Sequence, residues 1–455
     1  MDWNVNSVIA VGALTIVCVA LSRIWRLRAA ETYKRGVRLI DATKPRFMMR
    51  RRKVRGEQLT LAGVPIPALD ETKHFKLIGT TGTGKSTAIR ELLGGAIARG
   101  DRVIFADPDG SYLARFHDRF RGDIVLNPFE RQSVKWDLFA EIEDRFDVEQ
   151  LVGALIAETQ DPSAREWRSY ARTFLCAVIR RCHEAGSRGP ADLWRMVMAA
   201  PAEELRPIVA GTPAQPFLDV ENARMFGSIR SVAGSAMAAF EYIQAQRAAP
   251  FSVRHWVRNH AARGLLFIPY KASQIAALRS LIAAWIRVAI FEALSQQEGV
   301  DHRLWFVIDE LDALGAIDGL KDALARLRKF GGRCVLGFQS IAQVSGTYGH
   351  GEAQTLVENC GNSLILRCSG SENGGTSQFA SKLIGEREVV RRQISRGSDR
   401  ESPFSIRGSR RSRNVTEQHV TEAAVMPSEL EMLPDLCGYL KRASSAHWLK
   451  VSLGR

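Results

Sequence analysis

A lysine and a hydroxyl at the end of a glycine-rich turn, and two carboxylates closing an apolar run, have the residue types and spacing to do chemistry. Gly79-Thr80-Thr81-Gly82-Thr83-Gly84-Lys85-Ser86 fits G-x-x-x-x-G-K-[ST] without a mismatch, and Thr87 continues into a helical pattern. Such a loop points backbone N–H groups at phosphate oxygens, and the start of the following helix adds partial positive charge. Gly79 to Thr87 is therefore the expected binding stretch for a nucleotide triphosphate and Mg²⁺. Lys85 reaches the β- and γ-phosphates, and the Ser86 hydroxyl joins the Mg²⁺ shell.

Asp309-Glu310 ends the apolar run Leu304-Trp305-Phe306-Val307-Ile308. Asp309 is expected to hold Mg²⁺ through water, and Glu310 to orient or deprotonate the attacking water. An Asp in that position also starts helices as an N-cap, and the complete loop upstream favours the catalytic reading. Gln339 ends another apolar run. From a strand edge it can read the γ-phosphate, and as a residue type it also simply ends a strand. Leu327-Arg328-Lys329-Phe330-Gly331-Gly332 has basic residues and glycines that suit a helix C-terminus without any further role.

These residues need a sheet to position them. Strands are expected at 74–78, 102–106, 123–126, 264–269, 303–308, 333–338 and 363–368, with a hairpin over 57–67 and a long helix over 275–294. The 102–106 strand runs into Asp107-Pro108-Asp109-Gly110, which places carboxylates at the carboxyl edge of a parallel sheet, where open α/β folds bind ligands. From 144 to 250 the periodicity is helical, a domain-sized insertion. The expected fold is α/β, a nucleotide-binding domain over 56–143 and 251–455 interrupted by an all-α domain over 144–250. A short helix and strands over 430–440 and 448–453 close it.

The formal charge of +14 on 455 residues is concentrated in two segments. Arg23 to Arg55 carries 13 Lys/Arg against Glu31 and Asp41, and Arg387 to Arg413 carries nine Arg against Glu388, Asp399 and Glu401. Local contact with lipid head groups or nucleic acid is implied, rather than a uniformly basic surface. Val8 to Leu21 is apolar and bracketed by Trp3 and Trp25, so residues 1–25 read as a transmembrane anchor with the bulk of the chain on the cytoplasmic side. Residues 26–55 then form a basic juxtamembrane stem. The Ser/Arg-rich stretch 395–415 has few apolar residues and is expected to be a mobile loop. The seven cysteines contain no CxxC pair and read as reduced thiols, not as a disulfide frame or zinc site.

GTTGTGKS, DPDG, LNPFERQSVKWDLF, REWRSYARTFL, LWFVIDEL, LRKFGGR, GFQS and VMPSELEMLPDL follow one another in this order. In that co-linear series the chain from about Arg55 onward resembles the type IV coupling proteins of conjugative and related secretion systems. The resemblance implies a RecA-like motor domain with an all-α insertion, assembled as a homo-hexamer on the bacterial inner membrane. It also implies ATP hydrolysis coupled to export of single-stranded DNA with its attached relaxase, and partners among relaxosome proteins and secretion-channel components. Lys85, Ser86, Asp309 and Glu310 match the family's phosphate, Mg²⁺ and catalytic positions. Gln339 matches its γ-phosphate sensor, and Arg328 an arginine proposed to act on a neighbouring subunit's nucleotide. Family members commonly carry two membrane helices, whereas this sequence offers one candidate. An ABC-type ATPase would need an LSGGQ-like segment and an FtsK-like translocase a winged-helix reader, and neither is visible. An ATP-binding membrane receptor with little turnover remains the alternative from another class.

Overall fold

The computed structural model describes residues 31–43, 58–159, 161–186, 189–299, 302–371, 375–399 and 410–454. A ten-stranded sheet organises them. In spatial order its strands are Leu39–Asp41, Trp448–Ser452, Cys437–Lys441, Asn362–Ile365, Phe75–Ile78, Gly332–Phe338, Leu304–Ile308, Arg102–Pro108, Leu266–Tyr270 and Ile124–Val125. From Asn362–Ile365 to Ile124–Val125 all neighbours are parallel. Parallel strands are covered on both faces, which is why these segments read as unbroken apolar runs.

Alternate residues serve the two faces. Trp305 and Val307 pack with Ala88, Ile89 and Leu92 of the helix Lys85–Ala98. Leu304, Phe306 and Ile308 pack with Leu281, Trp285 and Ile286 of the helix Ile275–Ser295. Because the strands are parallel, the turns after Ile78, Pro108, Ile308 and Phe338 all emerge at one edge. That edge carries the chemistry-bearing residues.

Between Lys135–Trp136 and Pro250–Phe251, which pair with each other, the longer elements are helices: Arg145–Leu155, Pro162–Glu184, Pro190–Met198, Ala202–Val209, Ala223–Met237 and Phe240–Ala245. Local sequence starts the first two. Asp144 and Asp147 form a reciprocal capping box, and Asp161 caps a helix whose next residue is Pro162. Trp136 is buried against Phe240 and Trp285, tying the helical unit to the sheet.

Two expectations are corrected. Residues 31–36, assigned to the basic stem, form a strand that pairs with Glu386–Asp399, and Leu39–Asp41 forms the outer strand of the main sheet. Glu386–Asp399 in turn pairs along its length with Arg410–Ala423, so much of the stretch expected to be a mobile loop is antiparallel strand. Charge matching across the strands holds the part of this sheet that precedes and follows that stretch. Arg387 and Arg391 both reach Glu422, Arg392 reaches Glu417, and Lys34 and Arg35 both reach Glu388. Composition alone hides such complementarity. Among the described residues no helix is long and apolar enough to cross a membrane, and the 8–21 run lies outside those residues.

Candidate nucleotide site

The glycine loop leaves the strand Phe75–Ile78 and is pinned by backbone bonds. Gly79 N–H donates to Phe338 O and Thr80 N–H to Arg367 O, while Leu436 N–H donates to Thr83 O. The Thr83 hydroxyl closes the turn on Thr80 O at 2.7 Å. Gly84 sits at φ +114°, left-handed backbone open to glycine, and a Cβ there would stand 2.9 Å from Leu436 and Leu453 side-chain atoms. The helix then begins at Lys85, so its first N–H groups lack intrahelical partners and face the loop.

Lys85 is buried, and its Nζ donates to Gly79 O at 2.6 Å and Thr80 O at 3.2 Å. An ammonium has three donors, so one is left for a phosphate oxygen. Burial pushes the Lys85 ammonium below its usual range, against the pull of Asp309 and Glu310.

Asp309 is 4% exposed at the end of the strand Leu304–Ile308. Its Oδ2 accepts from the Ser86 hydroxyl and from the Tyr112 hydroxyl, each at 2.7 Å. Its Oδ1 is buried with no hydrogen-bond partner among the described residues. Gly337 permits this approach: a Cβ there would lie 2.3 Å from Asp309 O and 2.8 Å from its Oδ1. A buried carboxylate oxygen with no donor, beside a serine hydroxyl, is a hard-oxygen set that fits Mg²⁺.

Glu310 and Gln339 close the arrangement. The Thr81 hydroxyl donates to Gln339 Oε1 at 2.8 Å, and Gln339 Nε2 donates to Glu310 Oε1 at 3.2 Å. Burial, followed by repulsion from Asp309 and Asp312, raises the Glu310 carboxyl above the usual carboxylate range. A carboxylate made more basic in this way is better matched to taking a proton from water. Thr87 lies half-buried one residue further along the helix, and Gly82 is exposed at the loop's outer turn.

Tyr112 and Asp107 were not singled out as site residues by sequence. Both Asp107 oxygens accept from Tyr112 N–H, and Oδ2 accepts from Leu113 N–H at 2.7 Å, which anchors the helix Ser111–Phe116. That anchoring carries the Tyr112 hydroxyl to Asp309. Burial pushes the Asp107 carboxyl up to about 6. The available signal was the strand ending in DPDG, which marks the edge but not the partner.

Arg328 is the one expected residue that does not join its own chain's site. It lies exposed in the turn Leu327–Phe330, ahead of the strand Gly332–Phe338. That strand's seven residues separate it from Gln339, about 23 Å at roughly 3.3 Å per residue.

With this geometry in hand, comparison with known proteins is specific. Residues 58–454 match the family described as type IV secretion-system coupling protein DNA-binding domain. The coupling protein TraD of Escherichia coli K12 is 28% identical over 99% of this chain, which spans 63% of that protein's length. A VirD4 protein of Rhizobium rhizogenes is 26% identical over 30% of this chain and 20% of its own. Among solved structures, the unbound conjugative coupling protein TrwBΔN70 superposes with TM-score 0.79 at 33% identity, covering 93% of each chain. TrwB has also been solved with ADP and Mg²⁺ and with the ATP analogue ADPNP, each with TM-score 0.78 at 32% identity, covering 93% of this chain and 94% of the other.

Proposed function

From the premise that this chain belongs to the type IV secretion-system coupling proteins, we propose that it is a DNA-dependent ATPase, anchored in the bacterial inner membrane and working as a homo-hexamer. In this reading it receives single-stranded DNA with its relaxase, hands it to the secretion channel and drives it by hydrolysis of ATP. The observation that carries the proposal is the convergence of Lys85, Ser86, Asp309, Glu310 and Gln339 at one sheet edge through short hydrogen bonds.

The residues divide the work. Loop amides of Gly79 to Thr87 and the Lys85 ammonium bind the phosphates. Ser86 and Asp309 hold Mg²⁺, which when bound neutralises charge on the phosphate oxygens. Glu310 Oε1, held by Gln339, receives a proton from the attacking water. Gln339 also bonds to Thr81 in the loop, so a change at the γ-phosphate is felt at Glu310 through one side chain. Arg328 lies exposed away from its own chain's nucleotide site, and in this reading it acts on a neighbour's nucleotide in the ring. A subunit alone then has an incomplete site.

Hydrolysis of ATP by the full chain, measured with and without single-stranded oligonucleotide at low salt, tests the reading. Stimulation that fades with rising salt is expected, since phosphate contacts release counterions. Turnover indifferent to DNA at every salt concentration would overturn the motor and leave an ATP-binding receptor.

A further inference from the structure

A cavity of about 370 Å³ opens at the amino edge of the parallel sheet, the end away from the glycine loop. Its wall is built from the starts of three strands, at Arg102, Leu304 and Gly332, and from the ends of the helices Val253–Arg258 and Ile275–Ser295. Arg102, Arg263 and Arg303 line it, beside the stacked rings of His260 and His302, whose centroids lie 4.0 Å apart. Arg99 and Asp101 complete the charged lining and pair with each other, and Trp305 Nε1 also donates to Asp101, so that carboxylate is already engaged. Arg102 is 8% exposed and has no carboxylate partner among the described residues. Its NH groups donate to Val257 O and Trp256 O, its guanidinium carbon lies 4.0 Å from the Trp256 ring centroid, and its Nε is buried with no hydrogen-bond partner among the described residues. A buried guanidinium without a counter-ion is costly, and burial lowers Arg102 to about 10. Burial, then the neighbouring His302 and Arg102, lowers the His260 imidazole as well. Arg263, exposed at the rim, makes no hydrogen bond or ion pair among the described residues.

We propose that this cavity binds a small phosphate-bearing anion, held by Arg102 at the floor and by Arg263 and Arg303 at the rim, and that the bound anion fixes the turn carrying Arg328. Guanidinium groups meet phosphate oxygens through charge-assisted hydrogen bonds, and three of them on one cavity suit a ligand with more than a single negative charge. An acidic protein surface or a nucleic-acid strand reaches the exposed Arg263 but not the buried Arg102. A small ion reaches both.

The turn with Arg328 belongs to the same wall. Phe330 and Gly332 line the cavity, and Gly331 between them lies at φ +73°, where a Cβ would stand 2.4 Å from His302 O. Gly299 N–H donates to Lys329 O at 3.0 Å. The backbone at His302 therefore packs directly on the Leu327–Phe330 turn. An anion that orders His302 and Arg303 orders Arg328 with them.

The consequence for Arg328 rests on the motor reading, and the binding itself does not. The probe is radiolabelled inorganic pyrophosphate in equilibrium dialysis against the full chain in detergent, with the nucleotide site filled by ADPNP and Mg²⁺. Binding of pyrophosphate beyond the nucleotide is expected. Arg263→Ala, a change at an exposed and unpaired side chain, should weaken it about tenfold, as for loss of one charge-assisted hydrogen bond. Arg263→Glu should abolish it, and both variants should melt like the wild type. In a separate assay at saturating ATP, pyrophosphate should raise turnover several-fold in the wild type and leave Arg263→Glu unmoved. Pyrophosphate binding that is absent, or equal in the wild type and Arg263→Glu, would overturn the site. So would displacement of pyrophosphate by oligo-dT at equal phosphate concentration, which would reassign the arginines to nucleic acid. Binding that depends on Arg263 beside turnover indifferent to pyrophosphate would overturn the link to Arg328. A chain that hydrolyses no ATP yet still binds pyrophosphate through Arg263 sinks the motor reading and spares the site.

Discussion

The two edges of the parallel sheet carry similar residue types and opposite electrostatics. At the amino edge, Arg99 pairs with Glu71 and Asp101 at 2.6 Å each, Arg333 pairs with Glu71 at 3.2 Å, and Trp305 Nε1 donates to Asp101 at 2.8 Å. At the carboxyl edge, the partners of Asp107, Asp309 and Glu310 are backbone amides, hydroxyls and one amide side chain. Buried charges that neutralise one another give structure. At this sheet edge burial raises the Glu310 and Asp107 carboxyls against the lowering pull of their neutral donors, and with no salt-bridge partner they remain available to a cation and a proton. Charge inventory by itself does not separate the two edges; pairing does.

The comparison breaks most sharply at Glu310. Glu310→Gln keeps the Gln339 contact and removes the proton acceptor, so ATP turnover should fall by up to about 10⁴-fold while nucleotide affinity changes little. Steady-state turnover beside equilibrium binding of a fluorescent ATP analogue checks it, and unchanged turnover would clear Glu310. The next effect joins the two edges. Arg328→Ala should lower turnover by about 10³-fold, the low end for an arginine supplied across an interface. Mixing Arg328→Ala with Lys85→Ala should then recover activity, since some interfaces pair an intact loop with an intact arginine. No recovery in rings verified to be mixed would keep Arg328 out of the site.

What was legible in the sequence follows from the range of the interactions. The loop Gly79 to Ser86 and the pair Asp309-Glu310 are contiguous, and each sits in an apolar context that identifies its strand. Their meeting was readable because the chemistry of one requires the other. Tyr112 was not readable: its role depends on Asp107 turning a short helix, a tertiary arrangement with no fixed spacing to Asp309. The three-stranded sheet of residues 31–36, 386–399 and 410–423 was missed because arginine and serine there suggest solvation. Only cross-strand pairing such as Arg387 with Glu422 shows where the charge goes. Arg328 was legible as a helix end, and its exposure and distance from Gln339 keep it out of its own chain's site.

The remaining predictions test the edges one at a time. Glu71→Ala should destabilise the fold by about 3 to 5 kcal/mol, because it strips a buried arginine cluster of a shared carboxylate. Thermal or denaturant unfolding measures it, and nucleotide affinity of the folded fraction should stay put. The smallest effect belongs to Asp107, and its sign depends on pH. Its carboxyl has a folded value of about 6 against an ordinary 3.8, so between those values the folded chain holds a proton that the unfolded chain has released. Stability from this group therefore declines as pH rises from 3.8 to about 6 and returns on acidification. At roughly 1.4 kcal/mol per unit the interval carries about 2 to 3 kcal/mol. In Asp107→Asn that dependence disappears, so the difference in unfolding free energy should move in favour of Asn between pH 4 and pH 7. A difference that is flat with pH, or moves the other way, would show that the Tyr112 and Leu113 amides hold Asp107 as an ordinary ionised cap. The amino edge would then have lost its contrast with one member of the carboxyl edge.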